Sequence, residues 1–283
     1  TIIYGRYYKR FNPKGTLYLK MDAYNEHLLF RKRYSKNPIK NFYFNRVEKR
    51  FFMTLNHASI ENRDGLKLAS LIYPEMREKI GYLPNGVNDQ FLKSEFDQEE
   101  IQERIVLSVG RLGSADKNYE LFLTAVPKLL ELNCQFVIVG PISDEFQKKI
   151  DHVFKLHPKA EEKITFTGSI SNRERLYELF AKSSVFFLPS RFESFGIAYT
   201  EALYFGACLV GHTGMYAFDD ICSNGKYGTF YEDNNAESFA NAIESALSKS
   251  EENGFREEAK NHARNNFVWS KLTQELLTKL GHG

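Results

Sequence analysis

A chain of 283 residues with 42% hydrophobic and 14% aromatic side chains is long enough for two modest domains and apolar enough to give each a core, which excludes a disordered chain. Three widely spaced cysteines, Cys134, Cys208 and Cys222, make neither a disulfide framework nor a metal-ligand pattern and fit a reducing, cytoplasmic setting. The net charge of +2 hides an asymmetry: residues 1–50 hold thirteen Lys and Arg against Asp22, Glu26 and Glu48, so the rest of the chain is net acidic by eight charges. No apolar run approaches the ~20 residues of a membrane-spanning helix.

In chain order, Gly15–Lys20 and Arg50–Leu55 read as strands, with a polar stretch of helical character around Ala23–Tyr34 between them. Aromatic and basic residues interleave in Arg6-Tyr-Tyr-Lys-Arg-Phe11, Phe30-Arg-Lys-Arg-Tyr34 and Asn41-Phe-Tyr-Phe-Asn-Arg46. This leaves three readings open. The first is a patch for an anionic membrane surface or a phosphorylated lipid acceptor, placing the protein peripherally on the inner membrane face. The second is a nucleic-acid site with stacked bases, which is not favoured. The third is solvated lysines over an ordinary aromatic core. Asp64–Leu71 and Pro74–Ile80 read as short helices, and Pro84-Asn85-Gly86 is strong turn chemistry. The boundary falls there, giving a basic, aromatic N-terminal domain over 1–86, a second domain over 87–268 and a C-terminal helix over 269–283.

From Arg104 the rhythm becomes regular. Arg104–Val109, Gln135–Val139, Lys163–Thr167, the run around Val185 and Ala207–Val210 predict strands; Asn118–Leu132, Ser143–Leu156 and Asn172–Lys182 predict helices between them. Apolar strands alternating with amphipathic helices imply a doubly wound, Rossmann-like parallel sheet covered on both faces, with ligands beyond the carboxyl ends of its strands. Asp219-Asp220 reads as a helix start and Asn224-Gly225 as a turn.

Two segments leave strands on that edge. Gly110-Arg-Leu-Gly-Ser-Ala-Asp-Lys-Asn118 puts Arg111 and Lys117 on a glycine-containing loop, where a fork of N–H donors and a compact cation suit a diphosphate. It is neither a Walker loop nor a dinucleotide fingerprint. Glu193-Ser-Phe-Gly-Ile-Ala-Tyr-Thr-Glu201 holds two carboxylates with seven residues between them across a helix start. The first N–H groups of such a helix attract phosphate, Gly196 lets a ligand approach the backbone, and carboxylates accept from hydroxyls. A nucleotide-sugar, with a diphosphate between two polyols, has that form. Alone, each feature also fits a solvated surface.

The Pro189-Ser190 turn, Glu193-Ser-Phe-Gly-Ile197, Glu201-Ala202 and Gly206-Ala-Cys-Leu-Val210 together resemble retaining glycosyltransferases of family 4, with a match running from about Pro84 to Trp269. The resemblance implies an α/β GT-B-type fold, with a partial N-terminal α/β acceptor domain beside the Rossmann-like donor domain. It implies a retaining hexosyl transfer from a nucleotide-sugar, UDP-sugar slightly favoured, to a lipid-linked or surface-glycan acceptor. It assigns Arg111 and Lys117 to the leaving diphosphate, Glu193 to hydroxyls of the transferred sugar and Glu201 to the ribose. Gly110, Ile170, Ser194, Phe195, Gly196, Ile197 and Ala198 would line the donor site, with the segment Thr167–Ile170 near the base. No Asp-X-Asp stands at a strand end, so two protein cations replace a metal and no further cofactor is expected.

Against the family, only about 85 residues precede the Pro-Asn-Gly turn, the glycine-rich loop after the first strand is absent, and no histidine can be assigned as a catalytic base. The expectation is a C-terminal part of a longer protein or a reduced N-terminal domain. The competing readings are a non-catalytic GT-B-like partner subunit and a GT-B epimerase or phosphorylase. The presence of Arg111, Lys117, Glu193 and Glu201 together disfavours a degenerate partner.

Overall fold

The computed structural model describes residues 2–21, 37–89 and 104–281. The chain divides into two compact units, one of Thr1–Asn85 with Trp269–Gly283 and one of Gly86–Val268.

The first unit contains α1 (Ile2–Phe11), β1 (Tyr18–Met21), α2 (Pro38–Thr54), β2 (His57–Ile60), α3 (Arg63–Ile72), a 3-10 turn at Pro74–Met76 and β3 (Ile80–Tyr82). Its strands form a parallel sheet in the order β1-β2-β3, with Tyr18 opposite His57 and Ile60 opposite Tyr82. Phe51, Phe52, Leu55, Ala58, Ile60, Ala69 and Met76 build its core.

Two expectations fail in this unit. Arg50–Leu55 is not a strand but the end of α2. Asn37 accepts from the amides of Ile39 and Lys40, and Pro38 takes the first turn, where its missing N–H costs nothing; the helix so started runs to Thr54. Phe51, Phe52 and Leu55 are then adjacent on one helical face and buried together. Pro74–Ile80 keeps only its 3-10 turn, and Ile80 opens β3. The stretch Ala23–Tyr34 lies outside the described residues.

The second unit runs β4 (Ile105–Val109), α4 (Tyr119–Leu129), β5 (Gln135–Val139), α5 (Asp144–Leu156), α6 (Ala160–Lys163), β6 (Ile164–Gly168), α7 (Arg173–Lys182), β7 (Ser183–Phe187), α8 (Ile197–Tyr204), β8 (Cys208–His212), α9 (Tyr216–Ile221), β9 (Gly228–Tyr231), α10 (Ala236–Ser250) and α11 (Phe255–Asn266). α12 (Trp269–Lys279) follows and groups with the first unit. Helix starts match polar caps: Ser143, Asn172 and Asn235 accept from the amides of Phe146, Arg175 and Ser238. Asp219 and Asp220 lie inside α9, which starts earlier, at Tyr216. β9, α10 and α11 have no counterpart among the elements predicted from sequence, and neither do α1 and α6.

The six strands are parallel in the order β6-β5-β4-β7-β8-β9. Winding proceeds outward from β4 in one direction and from β7 in the other, so the switch point lies between these two strands. Crossovers leave a crevice there, at the carboxyl edge. Ser108, fully buried near the end of β4, fixes that pairing: its hydroxyl donates to Phe187 O at 2.7 Å and lies 2.9 Å from the Tyr119 hydroxyl. Phe122 stacks on Phe187 with centroids 5.4 Å apart, packing α4 against the same place.

Candidate active site

Glycines stand at the carboxyl ends of three adjacent strands: Gly110 after β4, Gly140 after β5 and Gly168 closing β6. Gly110 N–H donates to Val139 O and Gly140 N–H to Gly168 O, both at 2.9 Å. A Cβ on Gly140, whose φ is +146°, would lie 1.6 Å from Gly110 O. Backbone therefore packs directly on backbone under the Gly110–Asn118 loop. Gly110 itself abuts the Tyr119 hydroxyl, so its small size serves packing as well as access.

The loop after β7 is anchored from below. Leu188 O accepts from the hydroxyls of Tyr199, at 3.2 Å, and Tyr231, at 3.3 Å. The Tyr199 hydroxyl also lies 3.0 Å from Val210 O, and its complete burial holds the phenol far above its ordinary titration range. The Tyr199 ring sits beneath Gly196, where a Cβ would come within 2.8 Å of Cδ2. Gly196 has φ +85° and N-caps α8, so this glycine is demanded by the turn before any ligand is considered.

Across the switch point the two loops meet. Lys117 Nζ donates to Glu193 Oε1, and both side chains are mostly buried. Ser190 Oγ donates to the same carboxylate oxygen at 2.8 Å. Arg191 N–H donates to Asp116 O at 2.9 Å, tying backbone to backbone. Arg111, from the same loop as Lys117, pairs with Asp116 Oδ2 at 3.2 Å. Burial opposes the charge on Asp116, but bonds from Ser114 and its own amide, with Lys117 and Arg111 nearby, hold its carboxyl below the usual range.

His212 braces the arrangement. Gly214 N–H donates to its Nδ1 at 2.9 Å, so Nδ1 accepts and the proton sits on Nε2, which donates to Arg191 O at 3.2 Å. Asn234 Oδ1 accepts from Arg191 Nη2 at 3.1 Å and from Asn118 Nδ2 at 3.4 Å. The loops after β4, β7, β8 and β9 are thereby joined on one edge.

Glu201 stands about one turn inside α8, with a different neighbour. Its Oε1 lies 3.6 Å from Arg173 Nη1, whose guanidinium also donates to the Tyr177 hydroxyl at 3.0 Å. Burial raises the Glu201 carboxyl above its ordinary value, with Arg173 opposing. Ile170, half-buried against the core, belongs to the loop that leads into α7. Phe195 is buried, Ala198 half-buried, and Ser194 and Ile197 are exposed.

Of the residues expected at the site, Lys117 and Glu193 touch, Arg111 shares the loop of Lys117 but faces Asp116, and Glu201 faces Arg173. Ser190, Asp116, Arg173 and Arg191 are additions. The Ser190-x-x-Glu193 spacing, a hydroxyl at a turn three residues before a carboxylate, is a local signal that could have exposed the first. The others arise from contacts between distant segments. Among the described residues no three His, Cys, Asp or Glu side chains cluster as metal ligands.

The profile of the family Glycosyl transferases group 1 matches residues 91–266. An uncharacterized glycosyltransferase of Methanocaldococcus jannaschii is 26% identical over 219 residues, 72% of this chain and 54% of that protein. Mannosylfructose-phosphate synthase of Agrobacterium fabrum is 26% identical over 223 residues, 72% of this chain and 48% of that protein. The chain thus spans about half the length of these relatives. Anabaena HepE, solved in complex with UDP, superposes with a TM-score of 0.72 at 15% identity, covering 99% of this chain and 75% of that one. This likeness places the α/β architecture among GT-B glycosyltransferase folds, with the Rossmann-like sheet as its larger unit. With the profile covering more than half of its residues, the chain belongs to the family Glycosyl transferases group 1.

Proposed function

We propose that the site serves retaining, metal-independent transfer of a hexose from a nucleotide-sugar to a lipid-linked or surface-glycan acceptor at the cytoplasmic face of a membrane. The observation that carries it is the contact of Lys117 with Glu193 at the switch point, with Arg111 on the same loop. Breaking the bond between the anomeric carbon and the diphosphate puts negative charge on the leaving group and positive character on the sugar. Lys117 and Arg111 supply the charge that meets the diphosphate, and both are side chains, so the proposal needs no metal. First-turn amides of α8 add dipoles pointing the same way. Glu193, braced by Ser190, accepts from hydroxyls of the sugar. Glu201 accepts from the ribose and gives up a long, surface-facing pairing with Arg173. UDP is the favoured carrier, in keeping with the UDP bound to Anabaena HepE.

The test is calorimetric titration with UDP, ADP and GDP and their hexose derivatives, with magnesium and with chelator. Binding of one nucleoside diphosphate, UDP first, that persists in chelator supports the reading. Binding of none of them overturns the donor site, and binding only with magnesium overturns its metal independence.

A further inference from the structure

Helices α1 and α2 of the first unit carry an outward face that water alone does not explain. At about 100° per residue, Tyr4, Tyr7, Tyr8 and Phe11 fall on one stripe of α1, and all four are exposed, Tyr4 by 81% and Phe11 by 79%. Gly5 lies to the side of that stripe and is buried: a Cβ there would come within 2.4 Å of the Phe51 ring of α2. The two helices thus pack through Gly5 and leave the aromatic stripe outside. Tyr7 and Phe11 stack along it with centroids 6.4 Å apart.

On α2 the same construction gives two opposite faces. Glu48, Phe51, Phe52 and Leu55 point inward and are buried. Ile39, Phe42, Arg46, Lys49, Arg50 and Met53 share the outward arc; Ile39 is 78%, Phe42 67% and Met53 52% exposed. An apolar outer face laced with cations, with a second apolar face toward the core, differs from the polar outer face of an ordinary surface helix. α1 has no acid, and the single acid of α2 is the buried Glu48. Arg6, Arg10, Lys40, Arg46, Lys49 and Arg50 are exposed and cationic.

We infer that the outer face of α1 and α2 docks on an anionic lipid surface, the aromatic and aliphatic side chains entering the headgroup boundary while the arginines and lysines meet the lipid phosphates. Charge complementarity selects this occupant: among the described residues the α2 arc is aliphatic, aromatic and cationic, with Lys49 also 3.5 Å from Glu75, and Arg6 and Arg10 flank the aromatic stripe of α1, a composition that matches a negatively charged, partly apolar boundary. The inference gives the membrane-side part of the proposed function its residues and does not depend on the donor chemistry.

The test is sedimentation of the full chain with vesicles of phosphatidylcholine alone and with about one third phosphatidylglycerol. The expected result is at least tenfold stronger association with the anionic vesicles, lost in roughly 0.5 M salt, where screening shortens to a few ångströms. Arg10→Glu with Arg46→Glu and Arg50→Glu should abolish it. Tyr4→Ser with Phe11→Ser and Phe42→Ser should weaken it about tenfold while leaving salt sensitivity. Equal association with neutral vesicles, unchanged association of the charge-reversed variant, or displacement by inorganic phosphate at millimolar level each overturns the inference. So does preference for RNA over anionic vesicles. Circular dichroism of each variant checks the fold. Nucleoside diphosphate titration of the same samples separates a failed membrane face from a failed donor site.

Discussion

Replacing Lys117 with Met removes one charge at the point where the two site loops touch while keeping the length of the side chain. The Glu193 carboxylate, with only 13% of its side chain exposed, is then left with Ser190 as its remaining described partner at 2.8 Å. A buried acceptor deprived of a charged donor costs about 1–3 kcal/mol, and each kcal/mol lowers the melting point by roughly 2–4 °C in a domain of this size. Loss of a preplaced cation at the leaving group should slow release of the nucleoside diphosphate from its sugar by ~10²–10³. The assay is hydrolysis of the donor to water, which needs no acceptor, together with calorimetry against UDP and uridine. UDP affinity should fall about tenfold or more, with uridine unaffected. Adding Glu193→Gln should restore much of the stability, because a buried pair replaced on both sides leaves no orphan charge, but none of the turnover. Turnover of Lys117→Met within about threefold of the parent, or equal weakening of UDP and uridine, would refute the reasoning.

Two further outcomes follow from the geometry. Glu201 has its carboxyl raised by burial, so its charged form is less stable in the fold than in the unfolded chain, and stability falls as pH rises through the raised value. Glu201→Gln should therefore melt higher than the parent at pH 7–8, converge with it below pH ~4, and lose donor affinity at every pH; a melting difference independent of pH would contradict this. Gly140→Ala places a methyl on the Gly110 carbonyl in a backbone region closed to alanine, so the second unit should express poorly or melt at least ~10 °C lower; a native-like melting curve would show that the loop junction yields.

Local patterning made much of the second unit legible. Runs such as Ile105–Val109 and Gln135–Val139 are short, mainly apolar and separated by amphipathic helices, so strand, helix and order along the chain are readable. The same criterion misreads Arg50–Leu55, because a few apolar residues in a row do not reveal their period; Asn37 and Pro38, thirteen and twelve residues before Arg50, decide it. Pairings across the sheet edge were not legible. Asp116 beneath Arg111 and Arg173 beside Glu201 depend on which strands become neighbours.

Alternating apolar and amphipathic segments, read from the chain alone, established a parallel, doubly wound sheet and put Gly110–Asn118 and Glu193–Glu201 on its carboxyl edge. Hydrophobic period reports how deeply a segment is buried and carries no information about which segment lies beside it. The pairing of β4 with β7, held by Ser108 on Phe187 O and by Phe122 on Phe187, was decided only by packing between residues far apart in the chain. That pairing is what brings Lys117 onto Glu193 and turns two separate loops into one site.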